Sequence, residues 1–250
     1  MPLDDIFQEE YAAHMGRGTY VGYLLAGIVA DRMGRSDLAD RALRSGYDLQ
    51  MQADDPDQVF LAYFDATKMT SPDGPELALK ARRRQCELLL RDDGLQGNSS
   101  SHILASNALE YAERLGQHDL VNKAVRQIYD KLMGWGRKEN CYKAGVIAEE
   151  RLQDSTLAEQ AYWKSWEMAR QDDDPMFRGK VLRDKLNRPG LAAAAFMIQY
   201  NRDMEGDRDM PGQAQYMFER AARVAREYLQ RSDLEQKAQD KIQELRHSAA

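Results

Sequence analysis

The side chains best suited to chemistry are few and scattered. His14, His102, His118 and His247 lie far apart, and Cys86 and Cys141 stand singly. No CxxC or HExxH spacing exists, so no zinc site is expected. Cys86 is expected in the core of its helix. Asp203, Glu205, Asp207 and Asp209 alternate as in a calcium loop. Gly206 is misplaced for that motif and no Glu closes the loop, so the segment reads as a mobile acidic turn. Glu149 and Glu150 are adjacent, which on a helix points them roughly 100° apart and denies them a joint acid–base role. No phosphate loop, nucleophile elbow or dinucleotide fingerprint is present. The sequence therefore predicts neither an enzyme nor a cofactor.

Binding chemistry is better represented. Arg32, Lys68, Arg114, Arg151 and Lys185 recur at one position of a repeated pattern described below. Stacked, they would form a basic ladder able to hold an acidic partner through charge-assisted bonds. A cation near a helix C-terminus is also favoured by the helix dipole, at ~0.3–1 kcal/mol, and that local role takes precedence. Asp31, Glu113, Glu150 and Asp184 stand beside four of these cations and offer local neutralisation. The run Lys80-Ala81-Arg82-Arg83-Arg84 reads as a solvated helix face flanked by Glu76 and Glu87. Trp163 and Trp166 share a helix face and are expected to pack on the next unit. Trp135, between Gly134 and Gly136, is a candidate contact residue.

The elements that must position these residues are helices. The chain of 250 residues holds 31 Ala and 26 Leu against 8 Val and 7 Ile, which favours helix over strand. No strand-period run with a hairpin dipeptide appears. Around Leu38, Leu77, Leu120, Leu157, Leu191 and Leu234 the same pattern recurs. In five of the six copies Ala or, once, Val follows the Leu and Ala42, Ala81, Ala124, Ala161 or Ala195 comes four places on; around Leu234 the copy is degraded, with Ala238 kept. The Leu residues lie 39, 43, 37, 34 and 43 positions apart. Five residues before four of them stands Met33, Leu115, Leu152 or Leu186; in the second unit Ser71-Pro72-Asp73-Gly74 lengthens the offset to Met69 to eight. Each unit thus predicts a helical hairpin. Gly34 and Gly116 supply left-handed C-caps. Asp55-Pro56 and Asp174-Pro175 start first helices. Second helices start near Asp37, Asp73, Asp119, Thr156 and Ser232, with Thr156/Glu159 and Ser232/Glu235 as capping boxes. Units are expected near 19–53, 57–92, 100–134, 139–171, 175–204 and 213–248, as one domain over 1–250, with a helix at 4–16 capping the stack.

Composition bounds the partners and the compartment. A net charge of −6 makes the chain a poor general binder of nucleic acid. No apolar stretch approaches the ~20 residues of a membrane span. The segment from Met1 to Glu10 is acidic and lacks the order of a secretory signal. Two cysteines suit a reducing, cytoplasmic setting. The mean hydropathy of −0.70 suits a repeat array that keeps much surface wet.

This pattern resembles the tetratricopeptide repeat family over about residues 19–248. In the first unit the family's slots hold Tyr23, Ala26, Gly27 and Ala30, then Ala39 and Leu43. In the fourth they hold Tyr142, Gly145, Val146 and Glu149, then Ala158 and Tyr162. In the fifth Met176, Gly179, Ala192 and Phe196 remain, and the second has Arg82 in place of an aromatic. The resemblance implies an all-α, right-handed α-solenoid of about six hairpins, whose first helices line a concave groove. Leu24, Ile28, Phe60 and Phe64 would then form an apolar patch, followed by Ser106, Asn107 and Glu110, then Lys143 and Ile147, then Phe177 and Val181. Helix 4–16, with Ile6, Phe7, Tyr11 and Met15 at helical spacing, is the alternative cover for that patch. The expected function is a non-enzymatic scaffold or adaptor for a protein or peptide, with no specific nucleic acid. The alternative is a regulatory sensor whose groove takes a small ligand or a signalling peptide.

Overall fold

The computed structural model describes residues 3–91, 100–205 and 211–248, which form helices and short turns. By contacts the chain divides into two compact units, Met1–Ile128 and Tyr129–Ala250. The first holds α1 (Leu3–Met15), α2 (Tyr20–Arg32), α3 (Ser36–Met51), α4 (Pro56–Lys68), α5 (Gly74–Leu89), α6 (Ser100–Arg114) and most of α7 (His118–Gly134). The second holds α8 (Lys138–Ile147), α9 (Ser155–Gln171), α10 (Pro175–Asp184), α11 (Pro189–Glu205), α12 (Pro211–Val224) and α13 (Ser232–Ser248). α1 to α6 pack in chain order in the first unit, and α8 to α13 do so in the second. The fold is a helical repeat, and among the described residues there is no strand.

Alanine makes the hairpins close. Ala42, Ala81, Ala124 and Ala161 are fully buried and Ala195 is nearly so, as the repeat predicts. In the first hairpin Ala26 and Ala30 of α2 meet Ala39 and Ala42 of α3. In the second, Ala62 and Ala66 meet Ala78 and Ala81. Where an aromatic fills the second helix, the first yields with glycine. A Cβ on Gly145 would stand 2.4 Å from the Tyr162 ring, and one on Gly179 would stand 2.4 Å from the Phe196 ring. Cys86 is fully buried, and desolvation pushes its thiol up to about 11.

Helix ends follow the predicted chemistry in part. Gly34 and Gly116 take positive φ, closing bonds from Arg35 N to Ala30 O and from Gln117 N to Ala112 O. α8 and α12 instead end in π-helical turns, Ala148–Leu152 and Ala225–Leu229, with Gln153 and Gln230 left-handed. Asp55 accepts from Asp57 N and Asp174 from Phe177 N, each ahead of a first-turn Pro. The capping boxes are corrected. Asp154, not Thr156, caps α9 by accepting from Leu157 N at 3.0 Å. In α13, Glu235 N bonds Arg231 O, which puts Ser232 inside the helix.

The repeated Leu has a second role that its side chain does not reveal. Its backbone oxygen accepts a Tyr hydroxyl from an earlier helix: Tyr11 to Leu38 at 3.2 Å, Tyr129 to Leu157 at 3.1 Å, and Tyr200 to Leu234 at 3.0 Å. Tyr47 is also buried and packs with Leu77, yet its hydroxyl finds no partner among the described residues. That unit is the one with the lengthened turn, which Asp40 ties down by accepting from Thr70 N and Thr70 Oγ1.

Candidate functional site

Of the four apolar residues that the resemblance implies on first helices of the first unit, two are exposed. On α2, Leu24 is half-buried and Ile28, one turn on, is 43% exposed. On α4, Phe60 is half-buried and Phe64 is likewise 43% exposed. The Phe60 and Phe64 rings meet edge to face with centroids 4.8 Å apart. Helix α1 packs elsewhere: Phe7, Tyr11 and Met15 join Ala26, Val29 and Ala30 of α2 and Leu38 and Ala39 of α3. Ile6, the fourth apolar residue of that helix, is 43% exposed.

Asp65 lies behind this surface. It is 2% exposed, with the Tyr20 hydroxyl donating to Oδ1 at 3.5 Å and Gly46 leaving the room its Oδ2 needs. Burial pushes its carboxyl up to about 6, against the pull of Lys68 and the Tyr20 hydrogen bond.

The basic ladder divides by partner. Arg114 pairs with Glu110 at 2.6 Å and Lys185 with Glu149 at 2.7 Å. Glu149 also accepts from the Tyr162 hydroxyl at 2.7 Å, and these two bonds hold its carboxyl below the usual range. Arg151 is exposed at the end of its helix. Arg32 and Lys68 are exposed and have no ion-pair partner among the described residues. Asn107 and Lys143 are exposed on α6 and α8, and Ile147 is half-buried. Phe177 is half-buried against Tyr142, with ring centroids 6.0 Å apart. Val181 is corrected: at 1% exposure it is core. Asp203 is corrected too. It is a fully buried residue of α11, held by both arms of Arg220 and by Gln199 at 2.7 Å. Asp207 and Asp209 lie outside the described residues.

The basic run on α5 is more than a solvated face. Arg83 pairs with Glu87 and Asp119, and Arg84 with Asp54. Arg82 instead lies over Tyr63 at 3.9 Å, Tyr111 at 4.4 Å and Phe60 at 5.2 Å from the ring centroids. The guanidinium takes the aromatic's slot in this unit, which was the available sign that it differs from its neighbours. Beside it a pocket of about 440 Å³ opens between α4, α5 and α6, lined by Tyr63, Leu79, Arg82, Tyr111, Arg114 and Leu115 among others. That size is within the range of ligand sites.

In the second unit a groove of about 710 Å³ runs along α9, with Trp163 and Trp166 beside Glu159, Lys164, Glu167 and Arg170. Its charges are mixed, and both indoles pack on the cluster around Leu182, Ala192 and Phe196, as expected of a unit contact. Trp135 is 44% exposed. Among the described residues no three His, Cys, Asp or Glu side chains gather to hold a metal. No described helix is long and apolar enough to cross a membrane.

No protein-family model and no curated protein matches the chain. Among solved structures it is similar to the de novo designed helical repeat protein DHR64, at 16% identity over 97% of this chain and 96% of that one. It is similar also to the DHF58 filament, at 14% identity over 98% and 95%. Superposition is poor in both cases, with TM-scores of 0.15 and 0.14.

Proposed function

We propose that the chain is a non-catalytic scaffold that docks a protein or peptide on the first helices of its N-terminal unit. The observation that carries this reading is the exposure of Ile28 and Phe64 while α1 packs with Ala26, Val29 and Ala30 of α2 and with Leu38 and Ala39 of α3. On α4 the exposed Phe64 meets Phe60 and Tyr63, and contiguous exposed apolar patches mark interaction sites. Leu24 and Phe60 extend that surface, Arg32 and Lys68 add exposed positive charge, and Asn107 adds an uncharged polar contact. In the second unit Lys143, Phe177 and Arg151 are the corresponding contacts. Arg114 and Lys185 serve chiefly their own helices through Glu110 and Glu149.

The repeat spacing, the left-handed caps and the Gly145–Tyr162 and Gly179–Phe196 contacts support a tetratricopeptide-like hairpin, with the right-handed stacking of that family. The composition supports a cytoplasmic setting. Phe64→Ser tests the docking face: partner binding should be lost with the melting temperature nearly intact. A large loss of stability with binding unchanged would overturn it. The second reading, a sensor for a small ligand, is favoured by the pocket beside Arg82. It requires a ligand that raises the melting temperature in the absence of any protein partner.

A further inference from the structure

The guanidinium of Arg82 lies among three aromatic rings. Tyr63 and Tyr111 approach it at 3.9 and 4.4 Å, and Phe60 closes a third side. A planar cation among aromatic rings is fixed in orientation, and what it offers a ligand is its edge of N–H donors. Nη1 donates to Gln85 Oε1 at 2.9 Å. No carboxylate pairs with Arg82 among the described residues, although Arg83, Arg84 and Arg91 on the same stretch all have one. Neither the Tyr63 nor the Tyr111 hydroxyl has a hydrogen-bond partner among them. Arg114, already ion-paired with Glu110, lines the same pocket, and the remainder of the wall is largely apolar, with Leu79 55% exposed.

We propose that this pocket binds an acidic side chain of a partner peptide, with a bulky apolar residue beside it. The carboxylate takes the free edge of Arg82, in the bidentate geometry a guanidinium favours. The apolar neighbour lies on Leu79, Pro75 and Leu115. A peptide suits the site better than a free small carboxylate, because the aromatic surface continues beyond the pocket. Tyr63 meets Phe64 at 6.0 Å between centroids, and Phe64 is open to solvent. An occupant that covers this whole run needs a chain extending out of the pocket. The inference rests on the docking function proposed above and names the chemistry that the docked peptide carries.

The test is a selection of random displayed peptides against the full chain. Affinities of the enriched sequences are then measured for wild type, Arg82→Gln, Arg82→Lys and the control Lys80→Gln. Enriched peptides should share an Asp or Glu next to a bulky apolar residue. Exchanging that acid for its amide should weaken binding by about 10- to 100-fold, the usual worth of a hydrogen bond to a charged group. Arg82→Gln should erase the difference between acid and amide, Arg82→Lys should retain part of it, and Lys80→Gln should leave it unchanged. The acid-to-amide comparison on wild type holds even where Arg82→Gln lowers stability by losing its ring contacts. Enrichment of peptides without an acid, or of acidic peptides indifferent to Arg82, would overturn the inference and leave the docking function standing. Enrichment of no peptide at all would overturn both. N-acetyl-leucinate binding as tightly as the enriched peptides would make the occupant a free carboxylate and overturn the peptide assignment.

Discussion

Tyr200 and Tyr129 spend their hydroxyls on the Leu234 and Leu157 carbonyls, whereas the buried Tyr47 hydroxyl is unpartnered. Tyr200→Phe should cost ~1 kcal/mol, and Tyr47→Phe should be neutral or stabilising, since it removes a desolvated group that gains nothing. Denaturant titration of the two variants checks the contrast. Asp65 supplies a pH dependence. Its folded carboxyl titrates at about 6, above the ordinary value of 3.8, so folding favours the protonated form. The stability from that preference is full below pH ~4 and is lost as the pH rises through about 6. Asp65→Asn should flatten this part of the melting-temperature profile between pH 4 and 8 and raise stability at pH 7. A wild-type profile with no fall across that window would remove the assignment. None of this could be read in the sequence: Asp65 is one of many acidic residues, and only the contact with Tyr20 and Gly46 makes it different.

At the scale of the element, the sequence carried most of the fold. Alanine four places after each repeated Leu predicted the hairpin contacts, because a small side chain at a close crossing has few substitutes. Ala124→Leu and Ala161→Leu should each overpack a hairpin and cost ~1–3 kcal/mol by calorimetry. Gly179→Ala should cost a similar amount by driving a methyl into the Phe196 ring. Gly190→Ala, with nothing within 4 Å of its Cβ, should be neutral to stabilising. What the pattern missed were helix ends. Capping depends on backbone angles, and Asp154 outcompeted Thr156 for the cap because it sits in the extended residue just ahead of the helix. Left-handed Gln153 and Gln230 were invisible for the same reason: sequence rules look for glycine there. Gln153→Gly should raise stability by ~0.5–1 kcal/mol, the relieved strain exceeding the added chain entropy.

Across the whole molecule, the all-helical repeat followed from periodicity, while the candidate binding residues came from it only in part. Phe60 and Phe64 were found because they occupy a repeated slot. Arg82 was noticed as a departure from the pattern, but its meaning needed Tyr63 and Tyr111, which belong to two other helices and carry no motif. The ladder of basic residues looked uniform in sequence, and packing divides it: Arg114 and Lys185 form ion pairs, whereas Arg32 and Lys68 form none among the described residues. Spacing along the chain fixes which face a residue occupies, but not what an adjacent helix places opposite it.

The central claim is that the exposed aromatic face of α4 is a docking surface and not an unfinished core. The most direct measurement is Phe64→Ser, with peptide affinity and melting temperature determined on the same preparation. The account predicts a loss of affinity of about tenfold or more. The melting temperature should stay within a few degrees of wild type, because a side chain already 43% exposed gives up little on truncation. Unchanged affinity together with a fall in stability of the size expected for a buried Phe, ~3–5 kcal/mol, would contradict it.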